Sequence, residues 1–188
     1  MPNMPPWGSS FPRIGNNPLV IAAPHKEAPI VLDMAMTQFS YGKLEQQRIH
    51  GTPLPVDGGM DIDGKPTKDA AKILESGRLL PAGFWKGSGL AFALDLLASL
   101  IASGNATSHI AALPSEQQIS QVFLVFDINR SGEKEQIAER VLEAIDWLKG
   151  DEPENVRYPG ERAALTREKR LRDGIPVPEE IWNALDKL

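Results

Sequence analysis

The stretch with the clearest chemical potential is Trp85-Lys86-Gly87-Ser88-Gly89, which stands directly before an apolar run over residues 90–102. The length of that run and its Leu and Ala content predict a helix. The first N–H groups of a helix lack partners and carry a partial positive charge. Because Lys86 lies beside them, the sequence predicts a site for an anion, of which phosphate is the most common.

The same residues also fit a plainer interpretation, in which the glycines form a turn, Lys86 is solvated and Trp85 belongs to the core. In the anion-site interpretation, the glycines allow a ligand to approach closely and Trp85 offers it a flat apolar face. In either case we expect Ser88 to cap the helix and Gly104 to end it. A helix that is apolar on nearly every side is expected to be buried in the protein interior.

Composition and charge exclude several classes of protein. The chain has 188 residues, a net charge of −5 and no cysteine, so we expect no broad nucleic-acid surface, no disulfide and no thiol chemistry. The apolar run is shorter than the roughly 20 residues that cross a bilayer, and Asp95 interrupts it. The first residues lack the pattern of a signal peptide. We therefore predict a cytoplasmic protein with neither a nucleic-acid nor a membrane partner.

The elements around this stretch predict an α+β fold. Apolar runs over 19–23 and 30–36 are close enough to form an antiparallel hairpin. A stronger apolar run predicts a strand over 121–128, followed by an amphipathic helix over 133–149. Further helices are predicted over 43–49, 69–75, 161–172 and from Pro178 onwards. A strand followed by a turn and an amphipathic helix that packs on a sheet is typical of the α+β class.

This organisation predicts an α+β domain over residues 1–150 and C-terminal helices over 151–188. The Pro-rich segment 1–18 carries Trp7, and we expect it to pack on a partner or on a preceding segment. Asp33 in the second strand is either a solvent-facing acid or an acceptor for ribose hydroxyls. The three histidines have no acidic or histidine partners at ligand spacing, so neither a metal site nor a catalytic histidine is predicted. A Rossmann fingerprint would require glycine where Phe92 stands.

Seven motifs in order give the sequence a family resemblance. They occupy residues 4–8, 13–18, 33–36, 39–42, 54–59, 80–89 and 159–161. Together they resemble the malate/L-lactate dehydrogenase family of the non-Rossmann type, over nearly the whole chain. The resemblance implies a mainly antiparallel sheet with flanking helices. It also implies a homodimeric oxidoreductase that reduces a small 2-oxo acid, such as a diketo-sugar acid, to the 2-hydroxy acid. It implies NAD as the cofactor, with NADP as the alternative.

The resemblance places cofactor contacts on three segments. These comprise Pro29, Ile30, Val31, Leu32, Asp33, Met34 and Ala35, then Trp85 and Lys86, then Gly160, Glu161 and Arg162. It assigns Lys86 to a cofactor phosphate or ribose, Trp85 to packing against the cofactor and Asp33 to the nucleoside. A carboxylate beside the ribose would repel a 2′-phosphate, which favours NAD.

The family's proton-donating histidine lies in an N-terminal Ser-His-Gly context that has no counterpart in this sequence. Reduction of a ketone requires a proton for the developing alkoxide. We therefore expect this chain to correspond to the C-terminal part of the family's enzyme, to contain no catalytic residue and to be inactive alone. The alternative is a non-enzymatic module that binds the cofactor or dimerises.

Overall fold

The computed structural model describes residues 1–25, 28–130 and 134–185. By the contacts between its residues, the chain divides into two compact units. Unit 1 comprises Met1–Leu19 and Met34–Leu124, and unit 2 comprises Val20–Asp33 and Val125–Leu188. The domain division predicted from the sequence, into residues 1–150 and 151–188, does not coincide with these two units and stays a prediction.

Unit 1 contains a three-stranded sheet built from very short strands. The central strand β3 (Gly59–Met60) pairs antiparallel with β4 (Pro66–Thr67) and with β5 (Arg78–Leu79). In this register Gly59 lies opposite both Thr67 and Leu79. The strands lie in a region that the sequence identified only as turn-rich, because two-residue strands leave no alternation to detect.

Helices α1 (Tyr41–His50) and α2 (Ala70–Ser76) pack beside this sheet. Side-chain caps explain where they begin, since Ser40 accepts a hydrogen bond from Lys43 N and Asp69 accepts one from Ala71 N. These helices confirm the predictions over 43–49 and 69–75. Their apolar faces form a buried cluster of Leu44, Leu54, Ala70, Ile73 and Leu79.

The N-terminal segment belongs to a second buried cluster in unit 1, which consists of Met4, Ile14, Met36 and Ala91. The main chains of Met4 and Ile14 exchange two hydrogen bonds of 3.1 Å each, and the Met4 side chain is fully buried. The Trp7 ring lies edge-on to Phe84 with its centroid 5.3 Å away, yet remains half exposed. The segment therefore packs within its own unit, and its expected contact with a partner or a preceding segment stays a prediction.

The apolar helix α3 (Trp85–Ala102) begins five residues before the predicted start. It follows Phe84, which adopts φ 59° without a side-chain cap, so the prediction that Ser88 caps the helix is wrong. At the other end, Ser103 adopts a left-handed conformation and Gly104 N donates to Ser99 O. After it comes the single turn α4 (Thr107–Ile110), whose Thr107 donates through N and Oγ1 to the Asp95 carboxylate.

The expected burial of α3 is also wrong for the described chain. Only Gly87, Ser88 and Ala91 are buried, on the face towards the second cluster. The opposite face is apolar and exposed and comprises Leu90, Phe92, Leu96, Leu97, Leu100 and Ile101. By length and composition alone, α3 is long and apolar enough to cross a membrane, in contrast to the expectation for the shorter predicted run.

Unit 2 combines a strand pair with three helices. Strand β1 (Leu19–Ala23) pairs with β2 (Ile30–Met34), as predicted, although β2 ends two residues early. The helices are α5 (Lys134–Lys149), α6 (Glu161–Asp173) and α7 (Glu179–Leu185). They match the predicted helices, and the predicted first residue of α5, at position 133, lies outside the described residues.

The strand predicted over 121–128 is wrong. Residues 121–127 form no strand, and a 3-10 turn occupies Ile128–Arg130. Phe123, Leu124, Val125 and Phe126 are 83%, 71%, 93% and 80% exposed. Strand preference depends on a neighbour to pair with, and this segment has none among the described residues. The α+β class is nevertheless confirmed, with small antiparallel sheets and flanking helices.

Candidate functional site

Two of the three predicted cofactor segments lie against each other in unit 2. Val31 N donates a hydrogen bond of 3.1 Å to Pro159 O. Gly160 follows with φ +91°, and a Cβ at this position would lie 2.9 Å from Val31 N and 3.3 Å from Val31 O. Only glycine tolerates both this conformation and this approach. The main chain of the first segment and the start of α6 therefore form one continuous surface.

The first segment itself extends across the unit boundary. Ile30, Val31 and Leu32 are partly buried on β2, whereas Pro29 and Asp33 are exposed. Met34 and Ala35 belong to unit 1, where Met34 packs against the second cluster. An exposed Asp33 is compatible with either interpretation of this acid, and its assignment to the nucleoside stays a prediction.

In the third segment, the two carboxylate oxygens of Glu161 have different surroundings. Glu161 begins α6, and its side chain is only 14% exposed. Lys149 Nζ donates to Glu161 Oε1 at 2.6 Å. Glu161 Oε2 is buried and accepts no hydrogen bond from the described residues, with Arg157 Nη1 at 3.9 Å. Arg162, the last residue of the segment, is exposed.

The charges around Glu161 keep its carboxylate ionised. The hydrogen bond from Lys149 lowers the pKa of Glu161, and attraction to Lys149 and Arg157 adds to this effect, against the opposing effect of burial. An ionised carboxylate accepts hydrogen bonds, repels phosphate and is a poor proton donor. Oε2, which accepts no hydrogen bond from the described residues, therefore suits a ligand hydroxyl.

Sequence reasoning missed the residues that support Glu161, namely Lys149, Arg157 and Tyr158. Lys149 Nζ lies 5.5 Å from the centre of the Tyr158 ring. The Tyr158 ring also lies edge-on to the His25 ring, with 6.0 Å between their centres. A lysine in the last turn of a helix is common because it balances the helix dipole. The sequence did not predict that Lys149 pairs with Glu161, because only the turns between α5 and α6 bring the two residues together.

The second cofactor segment opens α3 in unit 1. Lys86 lies in the first turn of the helix, not outside it as predicted, and its side chain is exposed. Trp85 is 64% exposed, so the interpretation that places it in the core is wrong. No side chain caps this helix start. An exposed lysine and indole at an uncapped helix start are compatible with an anion site.

A groove of about 820 Å³ adjoins the start of α3 within unit 1. Trp7 and Phe84 supply its aromatic surface, and Asp57 its charge. No basic side chain is among the described residues that line it. The groove therefore suits a flat apolar ring better than a free carboxylate.

Comparison with known proteins gives consistent sequence matches. A family model described as malate/L-lactate dehydrogenase matches residues 1–186. The chain is 37% identical over 190 residues to 2,3-diketo-L-gulonate reductase of Klebsiella pneumoniae, covering 98% of this chain and 57% of the relative. The relative of the same name from Citrobacter koseri gives 37% identity, with the same coverage of both chains.

Solved structures are similar over the same extent. Δ1-piperideine-2-carboxylate reductase from Pseudomonas syringae shares 31% identity with a TM-score of 0.79, covering 100% of this chain and 57% of the other. Sulfolactate dehydrogenase from Methanocaldococcus jannaschii shares 29% identity with a TM-score of 0.76, covering 99% and 55%. The chain thus spans 55–57% of the length of these relatives.

Proposed function

The chain belongs to the malate/L-lactate dehydrogenase family, and we propose that it forms the cofactor-binding part of an oxidoreductase that reduces a small 2-oxo acid to the 2-hydroxy acid. Its named relatives are reductases and dehydrogenases, among them 2,3-diketo-L-gulonate reductase and sulfolactate dehydrogenase. The chain spans 57% of the first of these relatives, so the activity of a whole relative is carried over here only as a proposal.

The observation that carries the proposal is the contact between two predicted cofactor segments that are far apart in sequence. Pro159–Gly160 lies on the Pro29–Val31 main chain only because residue 160 has no side chain. Beside this contact, Glu161 offers a buried oxygen that the described protein leaves without a hydrogen bond. Unpaired buried acceptors are rare in folded proteins, and a functional role is one of the explanations for them.

In this proposal the predicted cofactor residues have different roles. Glu161 and the Pro29–Asp33 main chain would hold a nucleoside. Lys86 would bind a phosphate, and Trp85 would pack against the cofactor. The reduced nicotinamide, when bound, supplies the hydride. We favour NAD over NADP because Asp33 and the ionised Glu161 would repel a 2′-phosphate.

We further propose that residues 1–188 alone do not turn over a 2-oxo acid. The developing alkoxide requires a proton, and Glu161 is held in its ionised form by Lys149. The remaining members of the three segments include no histidine, and their acid, Asp33, is exposed. The cytoplasmic location stays a prediction.

Calorimetric titration tests the cofactor role. We expect NADH to bind, NADPH to bind more weakly and inorganic phosphate to compete only weakly. A parallel assay with NADH and 2,3-diketo-L-gulonate should show no oxidation of NADH. Failure of NADH to bind would refute the cofactor role, and rapid oxidation would refute the inactivity.

A second candidate function, a dimerisation module, is favoured by the exposed apolar face of α3. Exposed apolar patches of this kind commonly mark protein interfaces. Sedimentation velocity of the wild type and of Leu97→Glu distinguishes the two candidates. A dimer that dissociates in Leu97→Glu and binds no NADH would favour the module.

A further inference from the structure

We propose that Lys149 is a positioning residue, which occupies one oxygen of Glu161 so that the other oxygen accepts a hydrogen bond from a ribose hydroxyl. The inference rests on the proposed cofactor role of Glu161. It adds a residue, from helix α5, that the sequence motifs do not include. It also gives the site a ligand chemistry, namely a sugar with a free hydroxyl.

The first step in the argument is the asymmetry of the Glu161 carboxylate. Oε1 accepts a short bond from Lys149 Nζ, at 2.6 Å, whereas Oε2 is buried and accepts none from the described residues. Each oxygen of an ionised carboxylate has room for about two donors. A buried acceptor without a donor is costly, so a donor from a ligand would relieve this cost.

The second step is the way in which Lys149 itself is held. Its side chain is 22% exposed, and its ammonium group lies 5.5 Å from the centre of the Tyr158 ring. The ring attracts the cation, and Tyr158 lies three residues before Glu161. Lys149 thus reaches from the end of α5 to the start of α6, which fixes the direction in which the Glu161 carboxylate points.

The third step concerns the kind of donor that Oε2 can accept. Arg157 is the nearby cation on this side, but its Nη1 lies 3.9 Å from Oε2 and its side chain is 48% exposed. This distance exceeds that of a hydrogen bond. A neutral hydroxyl fits a negative, buried oxygen, whereas a phosphate would be repelled. The ribose of a nucleotide provides such hydroxyls beside an apolar base.

Binding of AMP and its deoxy analogues provides the test. With the full chain, we measure the dissociation constants of AMP, 2′-deoxy-AMP and 3′-deoxy-AMP by calorimetry for the wild type, Lys149→Met and Lys149→Arg. We expect Lys149→Met to weaken AMP binding roughly tenfold, since a hydrogen bond to a charged group has about this effect. One deoxy analogue should already bind roughly tenfold more weakly to the wild type and lose little more in Lys149→Met. Lys149→Arg should retain most of the AMP affinity.

Two controls separate this inference from a purely structural role. Lys134→Met changes an exposed lysine at the opposite end of α5 and should leave AMP binding unchanged. Glu161→Gln keeps the size of the side chain and should weaken AMP binding without further loss in the double variant with Lys149→Met. Circular dichroism establishes that each variant is folded.

The outcomes distinguish the inference from the function on which it rests. If the wild type binds neither NADH nor AMP, the cofactor role and the inference both fail. If the wild type binds AMP and Lys149→Met binds it equally well, only the role of Lys149 is overturned. Equal losses of AMP and of both deoxy analogues in Lys149→Met would overturn the hydroxyl contact.

Discussion

Replacing Gly160 by alanine tests the contact on which the candidate site depends. A non-glycine residue at φ +91° costs about 1–2 kcal/mol. The new Cβ would also lie 2.9 Å from Val31 N, so the hydrogen bond from Val31 N to Pro159 O should weaken, at a cost of about 1 kcal/mol. We therefore expect a total loss of about 2–3 kcal/mol in the free energy of unfolding.

Gly51, which ends helix α1, provides a matched control. It is also left-handed, with φ +63°, and an added Cβ would meet no atom within 4 Å. Gly51→Ala should therefore lose only the conformational part, about 1–2 kcal/mol. The two variants differ in the close approach to Val31 and share the unfavourable φ.

Urea unfolding and NADH titration give the two readouts. Gly160→Ala should unfold at lower urea than Gly51→Ala and should bind NADH roughly tenfold more weakly than the wild type. Gly51→Ala should bind NADH like the wild type. Equal stability and equal NADH affinity in the two variants would refute the reasoning, because the contact at Val31 would then matter to neither folding nor binding.

Three further predictions follow from residues outside this contact. Lys86→Ala should weaken NADH binding several-fold in calorimetry. Lys72 is also an exposed lysine of unit 1, and Lys72→Ala should leave NADH binding unchanged. Equal affinities of the two variants for NADH would contradict a phosphate role for Lys86. The lowered pKa of Glu161 stabilises the fold above the ordinary value of 4.5, and this contribution is lost as pH falls through the folded value. Lys149→Met loses the hydrogen bond to Glu161 and should be about 1 kcal/mol less stable than the wild type at pH 7. This difference should shrink in urea titrations below pH 4.5. Val125→Asp should change the free energy of unfolding by no more than about 0.5 kcal/mol. It should reduce self-association of the chain in light scattering, because it places a charge in the exposed apolar run 123–126. Unchanged self-association would show that this run does not drive it.

The elements predicted well from the sequence were those whose causes are local. Pro24 closely follows the apolar run of β1, and Asp69 caps α2 with its own side chain. The start of α3 depends instead on Phe84, whose φ of 59° no local rule favours. The run 121–126 has the composition of a strand, but composition cannot supply the neighbour with which a strand must pair.

The candidate site shows the same contrast between residues that the sequence could identify and residues that only the fold brings together. The family resemblance placed Gly160 and Glu161 in one segment, and the structure shows why residue 160 must be glycine. Lys149 could not be predicted, because its proximity to Glu161 results from the turns over residues 150–160. The exposure of Trp85 was equally hidden, because an aromatic residue beside a glycine occurs in cores and on ligand sites alike.

The burial of Met4 has a practical consequence for anyone who trims this protein. Flexible ends are usually removed first when a protein is prepared for crystallisation. Here the opening residues interlock with Ile14 and contribute to an interior cluster. Removing them would leave a cavity beside Met36 and Ala91, so a shortened protein should unfold at a lower temperature rather than crystallise better.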